Sequence, residues 1–229
     1  MCIFLDSSKI EEIKKYQAMD IIRGVTTNPT IMYKDGVKSF DEMKERIKQI
    51  AQLIDDYPVS VEVLTNDKEG MIAQAEEFKA LAHNINIKIP FHGPNGELEN
   101  LEVIKILQEK NIQVNCTAMM SAMQCIGALL AGATYVSLFG GRVNDMGYDC
   151  CDEIRKVHTF LTDRELLEDR YLIIGSVREP LNIIKWLTEG ADIVTVPPNI
   201  LEKSLIHART KETVQMFLDD ANKLEKEFK

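Results

Sequence analysis

Short apolar runs alternate with amphipathic stretches along nearly the whole chain. The runs are CIFLD, GVTTNP, VSVEVL, NINIKIP, IQVNCT, TYVSLFGG, YLIIGSV and DIVTVP. Between them, apolar residues recur with helical spacing, as in SFDEMKERIKQIAQLI. Strands that alternate with helices of this kind predict parallel strands joined by helical crossovers. The pattern therefore predicts an α/β fold with eight parallel strands.

Eight strand–helix units close naturally into a (β/α)8 barrel of the TIM type. A doubly wound open sheet is the competing architecture, but no GxGxxG loop follows the first strand. We therefore predict a single barrel domain over residues 1–229, with an extra C-terminal helix from about Thr210 to Phe228. This surplus amphipathic helix either caps its own barrel or packs on a neighbouring subunit.

Polar residues collect at the C-terminal ends of the predicted strands. In a barrel of this type those ends surround one mouth, where the active sites of such enzymes lie. Residues that are far apart in the sequence are therefore expected to converge there. The polar strand-end residues are Asp6, Thr26, Asn28, Glu62, Lys88, Asn115, Thr117, Ser137 and Ser176.

Lys88 lies inside the apolar run NINIKIP. One interpretation is a strand-end lysine whose ammonium group reaches into water. The other is a buried amine, because removal from water disfavours the charged form of a lysine. A neutral amine on a rigid strand is a nucleophile for carbonyl carbons and forms a Schiff base. The other polar residues at the same rim favour this second interpretation.

Two carboxylates accompany Lys88. Asp6 either caps the helix that follows it or acts as a general acid and base near the amine. Glu62 ends an apolar strand, where an unpartnered carboxylate is unfavourable. A lysine amine, or a water held by Thr117, would supply the missing partner.

The segments GVTTNPT and VNCT have ordinary explanations as an Asn-Pro turn and a helix cap. Their side chains also offer several neutral hydrogen-bond donors and acceptors, which suit a polyhydroxylated ligand such as a sugar. Arg142 and Arg178 follow late strands, where barrels of this type commonly bind phosphate. Surface ion pairs are the alternative role for these arginines. Gly140 and Gly141 would allow a ligand to approach closely.

Composition narrows the classes of partner. A net charge of −9 and a pI near 5.1, without a basic stripe, argue against binding to nucleic acid or to an anionic membrane. The four histidines are scattered, so we predict no metal. The sequence has no long apolar segment and no signal-peptide pattern, which predicts a cytoplasmic location. The five cysteines include no CxxC pair and are expected to be reduced.

The order and spacing of several segments resemble the transaldolase family, specifically its small members of about this length. The segments are FLDSSKIEEI, GVTTNPTI, VSVEV, NIKIP, VNCTA, AGATYVSLFGGRVND, GSVREP and EGADIVTVPPNIL, and they span nearly the entire chain. The resemblance implies a (β/α)8 barrel and a class I mechanism that needs no cofactor. Lys88 would form a Schiff base with a ketose phosphate, such as fructose 6-phosphate or sedoheptulose 7-phosphate. A dihydroxyacetone unit would pass to an aldose phosphate, such as erythrose 4-phosphate or glyceraldehyde 3-phosphate.

The resemblance also implies a role for each strand-end residue. Asp6 would take the proton from the C4 hydroxyl, and Glu62 with Thr117 would orient the water used in imine formation. The residues that match the site for the three-carbon unit are Thr26, Asn28, Asn115 and Ser137. Those that match the phosphate clamp are Arg142, Ser176 and Arg178.

Two positions separate the transaldolases from the related fructose 6-phosphate aldolases, which release dihydroxyacetone. In the aldolases a glutamine replaces the glutamate of the third strand, and a tyrosine replaces the phenylalanine after the sixth. This chain has Glu62 and Phe139. Both residues favour a transaldolase.

The chain departs from the family pattern near the expected binding sites for the acceptor sugar and for the anionic group of the substrate. FHGPNGELEN replaces a shorter link after Pro90, SLFGGR replaces SPFVGR, GSVR replaces ASFR, and Asn144 stands where aspartate is usual. A sulfonated ketose such as 6-deoxy-6-sulfofructose therefore stays open as an alternative substrate. Two alternative functions also stay open, an aldolase that releases dihydroxyacetone and a non-catalytic sugar-phosphate binding protein.

The family's small members often form rings of five, stacked into decamers. The resemblance thus implies a homo-oligomer, a pentamer or a decamer.

Overall fold

The computed structural model of the protein describes residues 2–163 and 170–228. Eight parallel strands form a closed barrel in the order of the chain. They are β1 (Cys2–Asp6), β2 (Val25–Thr26), β3 (Val59–Glu62), β4 (Ile85–Pro90), β5 (Val114–Met119), β6 (Tyr135–Phe139), β7 (Tyr171–Gly175) and β8 (Ile193–Val196). The predicted (β/α)8 barrel is confirmed, and each predicted apolar run contributes one strand.

The helices follow the strands in sequence, and all but the last contain buried residues. They are α1 (Ile10–Ala18), α2 (Pro29–Lys34), α3 (Phe40–Leu53), α4 (Lys68–Lys79), α5 (Glu99–Glu109), α6 (Ala122–Leu130), α7 (Gly140–Asp145), α8 (Cys150–Asp163), α9 (Pro180–Thr188), α10 (Pro198–Leu205) and α11 (Ala208–Glu227). In the described parts of the chain, no helix is long and apolar enough to cross a membrane.

The alternation of side chains along β4 places Lys88 inside the barrel. Ile85, Ile87 and Ile89 are fully buried in the main hydrophobic core. Successive side chains of a strand point to opposite faces, so Asn86 and Lys88 lie on the face opposite these isoleucines. The apolar residues fix the register of the strand against the helices, and that register holds the amine in the interior.

The pairing register also sets the neighbours of Lys88. Glu62 of β3 is paired with Lys88, and Lys88 is paired with Asn115 of β5. Paired residues on neighbouring strands have side chains on the same face of the sheet. The polar strand ends of β3, β4 and β5 therefore lie side by side.

Two glycines hold α7 against the end of the barrel. A Cβ on Gly141 would lie 1.9 Å from the backbone oxygen of Ser176, so no larger residue fits there. Gly140 packs against Cys150, Ile174 and Trp186. The atoms nearest to both glycines are protein atoms, so these contacts do not test the expectation that the glycines make room for a ligand. Their role is to bring α7 close to the segment after β7.

The C-terminal helix α11 confirms the predicted surplus helix. None of its residues is buried. The alternative in which it caps its own barrel is therefore wrong, because a capping helix would bury its apolar face. Val214, Phe217, Leu218 and Leu224 are each at least half exposed.

Candidate active site

A cavity of about 420 Å³ opens at the C-terminal ends of the strands. Its volume lies within the usual range for small-molecule sites. The predicted site residues that line it are Asp6, Thr26, Asn28, Glu62, Lys88, Thr117, Ser137, Phe139, Arg142, Ser176 and Arg178. Asn115 is the exception among the predicted residues, since it does not line this cavity. The structure thus brings together side chains from the whole length of the chain.

The amine of Lys88 is buried at the floor of the cavity, and the residue is only 4% exposed. Its Nζ donates a hydrogen bond to the backbone oxygen of Thr27 over 2.8 Å and lies 3.3 Å from Glu62 Oε2. The interpretation in which the Lys88 ammonium group reaches into bulk water is therefore wrong. If the amine loses a proton, its two remaining hydrogens can point to these two acceptors, and the lone pair is then left for bond formation.

Asp6 does not cap a helix. The N-cap of α1 is Lys9, and Asp6 Oδ1 instead accepts a hydrogen bond of 2.7 Å from Thr26 Oγ1. Burial raises the pKa of the Asp6 carboxyl, although the Lys88 ammonium and the Thr26 hydroxyl partly offset this effect. A carboxylate with a raised pKa is a better proton acceptor in neutral solution than an ordinary aspartate.

The hydroxyl group of Thr117 is buried, and the residue is 1% exposed. Among the described residues, its Oγ1 has no hydrogen-bond partner. It is not a helix cap either, since Ser121 caps α6. A buried hydroxyl without a partner is unfavourable, so a water or a substrate group is expected to bind there.

The backbone beside Thr117 is irregular. Ala118 has a positive φ of 61°, and the pairing of β5 with β6 shifts register between Cys116 and Met119. Such bulges redirect side chains and are frequent next to active sites. Ser176, at the end of β7, also has a positive φ, of 60°. Both residues line the cavity, where backbone strain is often concentrated in enzymes.

The two arginines lie at the same side of the cavity but differ in their partners. The guanidinium of Arg142 lies 5.4 Å from the ring centre of Phe139, and no carboxylate of the described residues pairs with it. Arg178 Nη2 forms an ion pair of 2.8 Å with Asp145 Oδ2. Two positive groups and one negative group therefore leave this region with a net charge of about +1.

Residues 3–229 match the family model described as transaldolase/fructose-6-phosphate aldolase. The chain belongs to this family. A relative named "Probable transaldolase" from Carboxydothermus hydrogenoformans is 40% identical over 220 residues, which are 96% of this chain and 97% of the relative. A relative of the same name from Oceanobacillus iheyensis is 37% identical over 222 residues, or 97% and 99% of the two chains. Membership supports a transferase of the transaldolase type.

Solved structures from other families share the fold alone. A thiamine phosphate pyrophosphorylase from Pyrococcus furiosus has a TM-score of 0.60 at 13% identity, covering 86% of this chain and 85% of that chain. A monomeric dihydrodipicolinate synthase variant has a TM-score of 0.62 at 13% identity, covering 98% and 78%. These matches agree with a TIM barrel and carry no information on the reaction.

In this transaldolase-family protein, Asn115 lies beneath the cavity rather than at its surface. It is fully buried, accepts a hydrogen bond of 2.7 Å from Ser137 Oγ and donates one of 3.1 Å to Ser60 Oγ. Ser60 in turn donates to Asn86 Oδ1 over 2.7 Å. The chain of hydrogen bonds fixes the orientation of Ser137, which does line the cavity.

Asn28 has a structural role in addition to its position in the cavity. Its Oδ1 accepts a hydrogen bond of 2.9 Å from the backbone of Ile31 and so caps α2, with Pro29 at the first helical position. The amide nitrogen of Asn28 is thereby left as the group available to a ligand.

Sequence reasoning missed Thr195, Ser60 and Asn86. Thr195 lines the cavity, and its hydroxyl is hydrogen-bonded to that of Thr26. The sequence pattern could have identified all three, because each is a polar residue that alternates with apolar residues along its strand. In a barrel strand that pattern marks residues that point inward.

Proposed function

We propose that this protein is a transaldolase that transfers a dihydroxyacetone unit between sugar phosphates through a Schiff base on Lys88. The observation that carries the proposal is the buried Lys88 amine in contact with Glu62, in one cavity with Asp6. Imine formation requires an amine and a carboxylate beside it, and carbon–carbon cleavage requires a proton acceptor, such as a second carboxylate with a raised pKa.

The first half-reaction begins when the neutral Lys88 amine attacks C2 of the ketose phosphate. One proton from the amine nitrogen and one from a neighbouring acid pass to the carbonyl oxygen, which leaves as water, and an iminium ion forms. Glu62 and the unpaired hydroxyl of Thr117 can hold the water that carries these protons. The same pair can later orient the water that hydrolyses the product iminium.

Carbon–carbon cleavage follows on the iminium. Asp6 accepts the proton of the C4 hydroxyl, and the electrons of the C3–C4 bond move into the iminium. The products are an aldehyde phosphate, which leaves, and a three-carbon enamine bound to Lys88. The enamine carbon then attacks the carbonyl carbon of the acceptor aldose phosphate, and Asp6 returns its proton to the new hydroxyl group.

A three-carbon transfer assay tests this proposal. Fructose 6-phosphate and erythrose 4-phosphate are expected to give sedoheptulose 7-phosphate and glyceraldehyde 3-phosphate. If free dihydroxyacetone forms faster than sedoheptulose 7-phosphate, the protein is an aldolase. If neither product forms with any phosphorylated or sulfonated ketose, it is a binding protein without catalysis.

A second candidate substrate is a sulfonated ketose, and the ion pair between Arg178 and Asp145 favours it. Counting only the residues that the structure describes, this pair leaves one uncompensated positive charge, on Arg142, at the anion side of the cavity. A sulfonate carries one negative charge, whereas a phosphate monoester carries nearly two at neutral pH. The site therefore matches the charge of a sulfonate at least as well as that of a phosphate.

The variant Asp145→Asn separates these two anions. Loss of the carboxylate raises the positive charge of the clamp, so the ratio of kcat/KM for the phosphate ketose over the sulfonate ketose is expected to rise about two- to fivefold. Steady-state kinetics with both ketoses measures the ratio. Asp41→Asn, at an exposed position at the start of α3, is the matched control. An unchanged ratio would show that Asp145 does not set the charge that the ligand meets.

We also propose that the protein is a homo-oligomer that α11 holds together. Isolated helices are marginally stable in water and usually depend on a packed apolar face. Val214, Phe217 and Leu218 have helical spacing and lie exposed on one face of α11. A second copy of the chain is the proposed occupant of that face.

Light scattering is expected to give a mass well above 26.0 kDa, in the range of a pentamer or decamer. Phe217→Asp places a charge on the apolar face and is expected to lower that mass. Lys223→Asp, on the opposite face of α11, is the control and is expected to retain it. A wild-type monomer, or equal masses for both variants, would contradict the proposal.

A further inference from the structure

A chain of two hydroxyl groups connects β8 to Asp6. Thr195 Oγ1 is hydrogen-bonded to Thr26 Oγ1, which donates to Asp6 Oδ1 over 2.7 Å. Thr195 is 6% exposed and Thr26 is 2% exposed. The two threonines therefore form a shielded path from the last strand of the barrel to the carboxylate.

The number of hydrogens that each group can donate fixes the direction of the hydrogen bonds between Thr195, Thr26 and Asp6. A hydroxyl group has one hydrogen to donate, and an ionised carboxylate has none. When Asp6 is ionised, the hydrogen of Thr26 is directed to Asp6. The hydrogen of Thr195 must then be the one between the two threonines. Among the described residues, Asp6 Oδ2 has no hydrogen-bond partner, which leaves this oxygen available to a substrate hydroxyl.

We propose that Thr195 is a positioning residue for Asp6, which acts by fixing Thr26 as a donor to Oδ1 so that Oδ2 faces the substrate. The inference rests on the proposed transaldolase function for its effect on turnover. Its effect on the carboxyl group itself is independent of that function.

Several groups around Asp6 influence the protonation of its carboxyl group, and Thr195 acts on it through Thr26. Lys88 of β4 favours the ionised carboxylate, whereas Glu62 of β3 and Asp35 after α2 oppose it. The hydrogen bond from Thr26 favours the ionised form. A donor to Thr26 strengthens that hydrogen bond by polarising the hydroxyl group. Loss of the donor should therefore favour the protonated form of Asp6.

The test compares Thr195→Val, which keeps the shape but lacks the hydroxyl, with Thr195→Ser, which keeps the hydroxyl. The carboxyl carbon of Asp6 is titrated by 13C NMR in protein labelled at aspartate, with Asp6→Asn to assign the signal. The titration midpoint is expected to rise by about 0.5 to 1 pH unit in Thr195→Val. Thr195→Ser is expected to restore it, and Thr134→Val, at a buried threonine at the other end of the barrel, is expected to leave it unchanged.

Kinetics supply the second measurement. The acidic limb of the kcat profile is expected to move to higher pH by the same amount in Thr195→Val, with a small change in KM. If Thr195→Val titrates like the wild type, the positioning role is wrong. If the midpoint moves but no ketose is turned over by the wild type, the proposed function is wrong and the role of Thr195 stands. Should Thr195→Val not fold, Thr195→Ala against Thr195→Ser gives the same comparison.

Discussion

Substitution of Lys88 by methionine is expected to abolish both turnover and the adduct that borohydride traps with fructose 6-phosphate. Methionine is close to lysine in length and is readily buried, so it suits a site at which the native residue is 4% exposed. It has no amine, and no Schiff base can form. The loss of a covalent nucleophile is expected to lower kcat by about 10⁴-fold or more.

Mass spectrometry after borohydride reduction measures the adduct directly. In the wild type, the peptide that contains Lys88 is expected to carry the label, and in Lys88→Met no peptide is expected to carry it. Lys105→Met, at an exposed lysine of α5, is the matched control and is expected to keep both turnover and label. Circular dichroism of Lys88→Met shows whether the barrel is retained. A label on another lysine, or turnover by Lys88→Met, would contradict the assigned nucleophile.

The apolar pattern was sufficient to predict the barrel because each strand pairs with its neighbour in sequence. It also predicted which polar residues would meet, since the C-terminal ends of parallel strands share one mouth. It did not decide whether the amine of Lys88 is buried. That depends on the length of β4 beyond the residue and on the carbonyl of Thr27, which only the three-dimensional structure provides.

Contacts between segments that are distant in the sequence could not be predicted from the sequence. Gly141 is required because the segment after β7 approaches it, and the sequence does not show that approach. The pairing of Arg178 with Asp145 likewise depends on the position of α7. Thr195 could have been found, because the alternation in DIVTVP places it inside the barrel, but its connection to Asp6 through Thr26 could not.

Substitution of Asp6 by asparagine is expected to stop cleavage without stopping imine formation. Asparagine can accept the hydrogen bond from Thr26 but cannot take the proton of the C4 hydroxyl. Loss of a general base typically lowers turnover by about 10² to 10⁴-fold. Borohydride reduction in the presence of fructose 6-phosphate should then trap only the intact six-carbon adduct on Lys88, whereas the wild type should also give the three-carbon adduct.

The same variant is expected to be more stable than the wild type at neutral pH. Burial raises the pKa of Asp6, so the folded protein binds this proton more tightly than the unfolded chain does. The stability that Asp6 contributes is present below its ordinary pKa of about 3.9 and is lost as the pH rises through the raised value. Calorimetry should therefore give Asp6→Asn a higher Tm than the wild type at pH 7, and the difference should shrink as the pH falls toward 4. Asp55→Asn, at an exposed aspartate, is the matched control.

Two results would contradict these expectations for Asp6→Asn. A three-carbon adduct would assign the proton transfer to another group. A lower Tm at neutral pH would mean that the ionised carboxylate stabilises the fold through its electrostatic attraction to Lys88.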